Sequence, residues 1–176
     1  MKYFIAIVLL SYSYTILSIE SDKQTLQPHS SMMTNDAYNN VKMGDSAEMA
    51  LNKLDGYIST IMQYDNESCY YLVPENDGAG ALFMIVYGMV ARIDVYDEVP
   101  IIKTSTGLGI ASTKNDILGR YNSATASPHP YGGPEDEYLE VKLDNGNGLI
   151  FETLDGIVTS FRLGSYPALR FIEGCL

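Results

Sequence analysis

Apolar and polar positions alternate with a period of two over several stretches of this chain, which predicts strands. Met89, Ala91, Ile93 and Val95 share one face, and Val90, Arg92, Asp94 and Tyr96 the other. The same pattern returns with Ile157, Thr159, Phe161 and Leu163 against Val158, Ser160 and Arg162. Leu139, Val141 and Leu143 point in, while Tyr138, Glu140 and Lys142 point out; Tyr71 and Val73 are expected in, Tyr70 and Leu72 out. Met84 and Glu152 join the outer face. The predicted strands are Cys69–Val73, Ala81–Val86, Met89–Tyr96 and Ile101–Thr104, then Glu137–Leu143, Leu149–Leu154, Ile157–Leu163 and Ala168–Glu173. Tyr87-Gly88 and Asp155-Gly156 have the composition of tight hairpin turns.

A period near 3.6 replaces this alternation in two places. Met43, Ala47, Ala50, Leu51 and Leu54 form one helical stripe, with Asp45 or Ser46 as cap and Gly56 as terminator. Ile117, Leu118 and Tyr121 form the other, capped by Ser112 or Thr113, with Asp116 at capping-box spacing from Thr113. Helices of ten to twelve residues are expected, marginal alone and in need of a sheet to pack on.

The two sets match each other. Met43, Ala50, Leu51 and Leu54 align with Ile110, Ile117, Leu118 and Tyr121 at an offset of 67. Phe83, Gly88, Met89, Val90, Ile93 and Val95 align with Phe151, Gly156, Ile157, Val158, Phe161 and Leu163 at an offset of 68. The expected fold is α+β: two tandem helix-plus-four-stranded antiparallel units, residues 41–106 and 107–176, forming one sheet with helices on one face. The apolar faces match between the units and the outer faces do not, which places function on the outer face.

Residues 1–18 read as a signal peptide, with Lys2 followed by an apolar run too short to span a membrane. Residues 19–40 show neither period and read as a flexible leader. Export to the periplasm or beyond places Cys69 and Cys175 in an oxidising compartment. There they are expected as one disulfide, the alternative being two buried thiols. The formal net charge of −11 becomes −12 once residues 1–18 are removed, an acidity that argues against nucleic acid as a partner. No stable membrane span is expected after signal removal.

Catalytic chemistry is thin. His129 stands in a proline-rich loop, Ser127-Pro128-His129-Pro130, with Glu135 and Asp136 close in sequence. A lone histidine with neither nucleophile nor second ligand makes neither a metal nor an acid–base site. His29 sits in the polar leader. Asp144-Asn145-Gly146-Asn147-Gly148 lacks the later acidic positions of a calcium loop and reads as a hairpin turn. No P-loop, dinucleotide fingerprint, zincin motif or nucleophile elbow occurs. No enzyme activity and no cofactor are expected. Fourteen tyrosines and no tryptophan suit a contact surface. The expected protein-binding face comprises Tyr70, Met84, Arg92, Tyr138, Glu140 and Arg162.

The helix opening at Met43-Gly44-Asp45-Ser46 and followed by antiparallel strands, all occurring twice, resembles the β-lactamase inhibitor protein fold; Ala111 takes the glycine's place in the second copy. The half-unit also resembles the small outer-membrane-assembly lipoproteins of Gram-negative bacteria. The resemblance covers roughly residues 41–174. It implies a bacterial host, where the Asn66-Glu67-Ser68 glycosylation triplet carries no meaning, and an open sheet face that grips a protein. The expected function is an exported protein-binding module, with inhibition of a secreted or periplasmic hydrolase as one form of it; the alternative is a component of envelope maintenance or outer-membrane assembly.

Overall fold

The computed structural model describes residues 31–60, 68–75, 79–96 and 101–175. The expected signal peptide lies outside the described residues. Chain order is β1 (Ser31–Met33), β2 (Ala37–Tyr38), β3 (Val41–Lys42), α1 (Ala47–Lys53), β4 (Tyr57–Ser59), β5 (Cys69–Pro74), β6 (Leu82–Val86) and β7 (Met89–Val95). Then come β8 (Ile102–Thr104), α2 (Lys114–Arg120), β9 (Thr125–Pro128), β10 (Glu137–Lys142), β11 (Asn147–Leu154), β12 (Ile157–Ser165) and a 3₁₀ turn, Ala168–Arg170.

The main body is one eight-stranded antiparallel sheet in the order β4-β5-β6-β7-β12-β11-β10-β9. Its register sets the core. Val141, Leu149, Leu163, Ile93, Phe83 and Leu72 are successive partners across β10, β11, β12, β7, β6 and β5, and all are buried. Ala50, Leu54 and Ile117 of the helical segments pack on this face, together with Met33, Tyr38, Val41 and Ile102 from β1, β2, β3 and β8.

The expected α+β pair of helix-plus-four-strand units is therefore corrected. Among the described residues the chain is mostly β, twelve strands against two helices of seven residues, and the body is a single sheet. Each helix buries one side chain, Ala50 or Ile117, too little apolar area to form a layer of its own. The expected fourth strands are not in the sheet either. Ile102–Thr104 pairs in parallel with β1 in a separate two-stranded sheet, and Ala168–Arg170 is a 3₁₀ turn. The outermost strands are instead β4 and β9. Residues 31–40, expected as flexible leader, form β1 and β2, with Met33 and Tyr38 buried.

Local geometry does follow the sequence matches. Tyr87-Gly88 and Asp155-Gly156 take positive φ at both residues, as a two-residue hairpin turn requires. Ser46 caps α1 by accepting from the Met49 N–H at 3.2 Å, and Thr113 with Asp116 closes a capping box on α2. Ahead of each cap the chain turns through the left-handed region, at Gly44 (φ 83°) and Ala111 (φ 68°). The Gly44 N–H donates to Val90 O at 2.8 Å and the Ala111 N–H to Val158 O at 2.9 Å, so each turn is held against a strand. An L-residue here costs about 1–2 kcal/mol, while glycine adds about 0.4–1 kcal/mol of unfolded-chain entropy. Ala111→Gly is therefore expected to raise stability by roughly 0.5–1 kcal/mol, measured by urea unfolding.

Candidate binding cleft

Side chains on the second sheet face form two rows by register. Glu140, Ile150, Arg162, Asp94 and Leu82 make one; Lys142, Gly148, Gly164, Arg92, Met84 and Tyr71 make the other. Four of the expected contact residues lie here, yet the middle of the face is closed to water. Met84 is 0% exposed, Arg92 1%, Asp94 1% and Arg162 3%.

The closure is the segment that follows β12. Residues 166–175 cross the sheet as a strap and end at Cys175, which is bonded to Cys69 at the start of β5 with Cα atoms 5.3 Å apart. Gly148 and Gly164 make room for it. A Cβ on Gly148 would stand 2.5 Å from the Leu169 side chain, and one on Gly164 3.2 Å from the Leu169 Cα. Ala168 and Leu169 are buried as a result.

Two guanidinium groups fasten the strap from below. Arg92 donates through Nη1 to Ala168 O at 3.0 Å and to Phe171 O at 2.7 Å, through Nη2 to the Tyr71 hydroxyl at 2.8 Å, and through Nε to Asp94. Arg162 donates through Nε to Leu169 O at 2.8 Å and through Nη1 to Glu152. Burial pushes the Tyr71 hydroxyl up to about 12. Burial also raises the Asp94 carboxyl above the ordinary carboxylate range, against the pull of Arg92.

Beyond the strap, on the β9–β12 side, the face stays open as a cleft of about 420 Å³. Tyr138, Glu140, Ile150 and Arg162 are its sheet residues; Arg170 and Ile172 come from the strap, and Thr125, Ser127, Pro128 and Pro130 from β9 and the loop after it. Strand β9 is exposed along its whole length and ends in Pro128, which cannot donate to another strand. Glu140 accepts from Arg170 Nε at 2.9 Å and Nη2 at 2.6 Å, and from the Tyr166 hydroxyl at 2.9 Å. The Arg170 bonds hold its carboxyl below the usual range. His129 meets Tyr138 edge-on at 4.7 Å and places Nε2 3.6 Å from Glu152. The Arg162 guanidinium carbon lies 5.1 Å from the Tyr138 ring centre.

Of the six expected contact residues, Tyr138, Glu140 and Arg162 come together in this cleft. The others require correction. Arg92 and Met84 are beneath the strap. Tyr70 packs against the core on the helix face, and Tyr71 takes the outer position. Register explains this: Leu72 pairs with Phe83 in the core row, so Tyr71, one residue away, faces outward. His129 is placed with Glu152 rather than with Glu135 or Asp136. Asp136 instead accepts from the Gly133 N–H at 2.6 Å and the Asp155 N–H at 2.9 Å, which hold its carboxyl low. Arg170 and Ile172 were missed; both fall in a stretch that reads as a strand, and the proline before it was the available sign of a turn. Among the described residues no group of three or more metal-ligating side chains occurs, and no helix is long and apolar enough to cross a membrane.

No family model matches the chain, and no curated protein matches it. Among solved structures it is similar to the uncharacterized protein yfeY from Escherichia coli, with a TM-score of 0.53 and 13% identity over 76% of this chain and 99% of that one. The likeness is one of fold. A cysteine-rich secretory protein from Staphylococcus aureus subsp. aureus Mu50 gives a TM-score of 0.44 and 11% identity over 76% of this chain and 48% of that one, too slight to carry an argument. Neither is clearly of the β-lactamase inhibitor protein fold.

Proposed function

We propose that this protein is an exported, non-enzymatic binding module that recognises another protein through the cleft over β9–β12. The observation that carries the reading is the division of the outer face: a tethered strap closes its centre, and the recess beside it over β9–β12 has an aromatic, cationic and apolar lining. Tyr138 suits an anchor. Its ring is held between His129 and Arg162, so little side-chain freedom is lost when a partner packs on it. The Cys69–Cys175 bond supports an oxidising compartment, periplasmic or extracellular.

The test is affinity capture of the partner by the mature protein from a periplasmic or secreted extract. Tyr138→Ala is expected to lower recovery about tenfold or more, the scale of an interface hot spot. Tyr87→Ala, at an exposed tyrosine in the hairpin turn away from the cleft, is expected to leave it unchanged. Recovery unaffected by Tyr138→Ala in a folded protein overturns the reading.

A further inference from the structure

Strand β9 is the outermost strand of the main sheet on the cleft side. Which of its backbone groups are free follows from β10. The Glu137 N–H donates to the Thr153 hydroxyl at 3.3 Å, and that hydroxyl donates to Glu137 O at 3.1 Å, so the Glu137 backbone faces β11. Pro128, which pairs with Glu137, therefore holds a non-hydrogen-bonded position in the β9–β10 ladder. The next residue obeys the alternation: the His129 N–H donates to Asp136 O at 2.9 Å. In the other direction Ser127 and Thr125 bond to β10, and Ala126 does not. The Ala126 N–H, the Ala126 carbonyl and the Pro128 carbonyl thus point out of the sheet edge, one donor and two acceptors. All four residues of β9 are exposed. The pairing runs without a bulge and the strand carries no charge, so of the features that ordinarily blunt an edge it has short length and a terminal proline alone.

We infer that β9 receives an extended segment of the partner protein as an added edge strand. This rests on the protein-binding reading above. A segment lying antiparallel opposite Ala126 exchanges two backbone bonds with it, and its residue opposite Pro128 donates a third. Its side chains alternate, so every second one stands on the cleft face beside Thr125 and Ser127. Those two side chains are small, which leaves Tyr138, the cross-strand partner of Ser127, within reach of a long side chain from the added strand. A second copy of this chain fits the edge less well. Each β9 has a single free donor, because Pro128 has none and the Ala124 N–H is taken by Tyr121 O. Two copies joined edge to edge therefore make at most two backbone bonds and leave two carbonyls without donors. The formal net charge of −11 adds repulsion between copies.

The experiment compares Ala126→Pro and Ala126→Val with the parent in capture from the periplasmic or secreted extract. Proline removes the outward N–H and sets its ring where the added strand would lie. It takes no bond from the β9–β10 ladder and follows Thr125, which is already extended. Recovery is expected to fall about tenfold or more, the scale of a lost backbone hydrogen bond at a blocked edge, with the urea unfolding midpoint unchanged. Ala126→Val keeps the N–H and is expected to retain recovery. Parent-level recovery with Ala126→Pro overturns the inference, and so does a lowered midpoint, which would mean that this N–H is bonded within the fold. Amide exchange gives a second reading on the parent. The Ala126 amide is expected to exchange freely in the isolated protein and about tenfold or more slowly in the captured complex, while the Ser127 amide is protected in both. Protection of Ala126 in the isolated protein, or none gained in the complex, overturns the inference. Capture that survives Ala126→Pro but not Tyr138→Ala overturns it alone; capture that survives both overturns the underlying function as well.

Discussion

Arg92→Met is expected to destabilise the protein by about 3–5 kcal/mol, the scale of removing one partner from a buried ion pair. Arg92 neutralises Asp94 and donates to Ala168 O, Phe171 O and the Tyr71 hydroxyl, so its loss leaves a buried carboxylate and several strap acceptors unmatched. The deficit depends on pH, and its sign follows from Asp94. Burial already raises the folded-state pKa of this carboxyl, and removing Arg92 raises it further. The folded state then holds the proton more tightly than the unfolded chain. The unfolded chain is common to both proteins and cancels, so the extra cost of the variant over the parent is smallest in acid and grows as pH rises through the parent's own folded-state Asp94 pKa, above the ordinary carboxylate value, towards the higher one of the variant. Urea unfolding of both proteins at about pH 4 and pH 7 reads this difference. Equal costs at the two pH values would mean that Asp94 is not the group left stranded. Replacing the pair together, Arg92→Met with Asp94→Leu, is expected to recover much of the loss, because no unpaired charge remains.

Cys175→Ser is expected to lower stability by about 2–5 kcal/mol and to loosen residues 166–175 before the sheet. The bond closes a loop with a sequence separation of 106, long enough for a large effect on the unfolded chain. It also ties down a strap whose remaining hold is a handful of hydrogen bonds to Arg92, Arg162 and Glu140. Amide exchange should speed up over residues 168–175 while β7 and β12 stay protected. Unchanged exchange in the strap would show that the guanidinium groups hold it without the disulfide.

The sequence was most legible where one face is apolar. Strands β5, β6, β7, β10, β11 and β12, both hairpin turns and the Cys69–Cys175 bond follow from alternation, turn chemistry and redox compartment. The edge strands carry no such pattern. Tyr57–Ser59 is three residues long, and Thr125–Pro128 is exposed throughout, so neither shows an alternation to detect. Two register shifts also mislead, one between Met84 and Ile85 opposite β7 and one between Glu152 and Thr153 opposite β12. Each puts one extra residue into the partner strand, Ala91 or Thr159, so Val90 and Val158 join the core although simple alternation sends them outward.

The candidate site was half legible for a different reason. Tyr138, Glu140 and Arg162 occupy alternate positions on the outer face and meet in the cleft as alternation implies. Arg92 and Asp94 share that face, but charged residues are ordinarily exposed, and nothing in the period-two pattern says that a later segment will cover them. The glycines that admit the strap, Gly148 and Gly164, look like turn or strand-end residues until Leu169 is seen packed on them. The separation of the outer face into a covered centre and an open cleft is a long-range property of residues 166–175.

Site-specific photocrosslinking tests that separation most directly. A photoreactive side chain at Thr125, on the cleft rim, is expected to couple to the partner, and one at Glu48, exposed on α1 across the sheet, is not. Conjugates forming from Glu48 but not from Thr125 would place the contact on the helix side and contradict the assignment of function to the cleft.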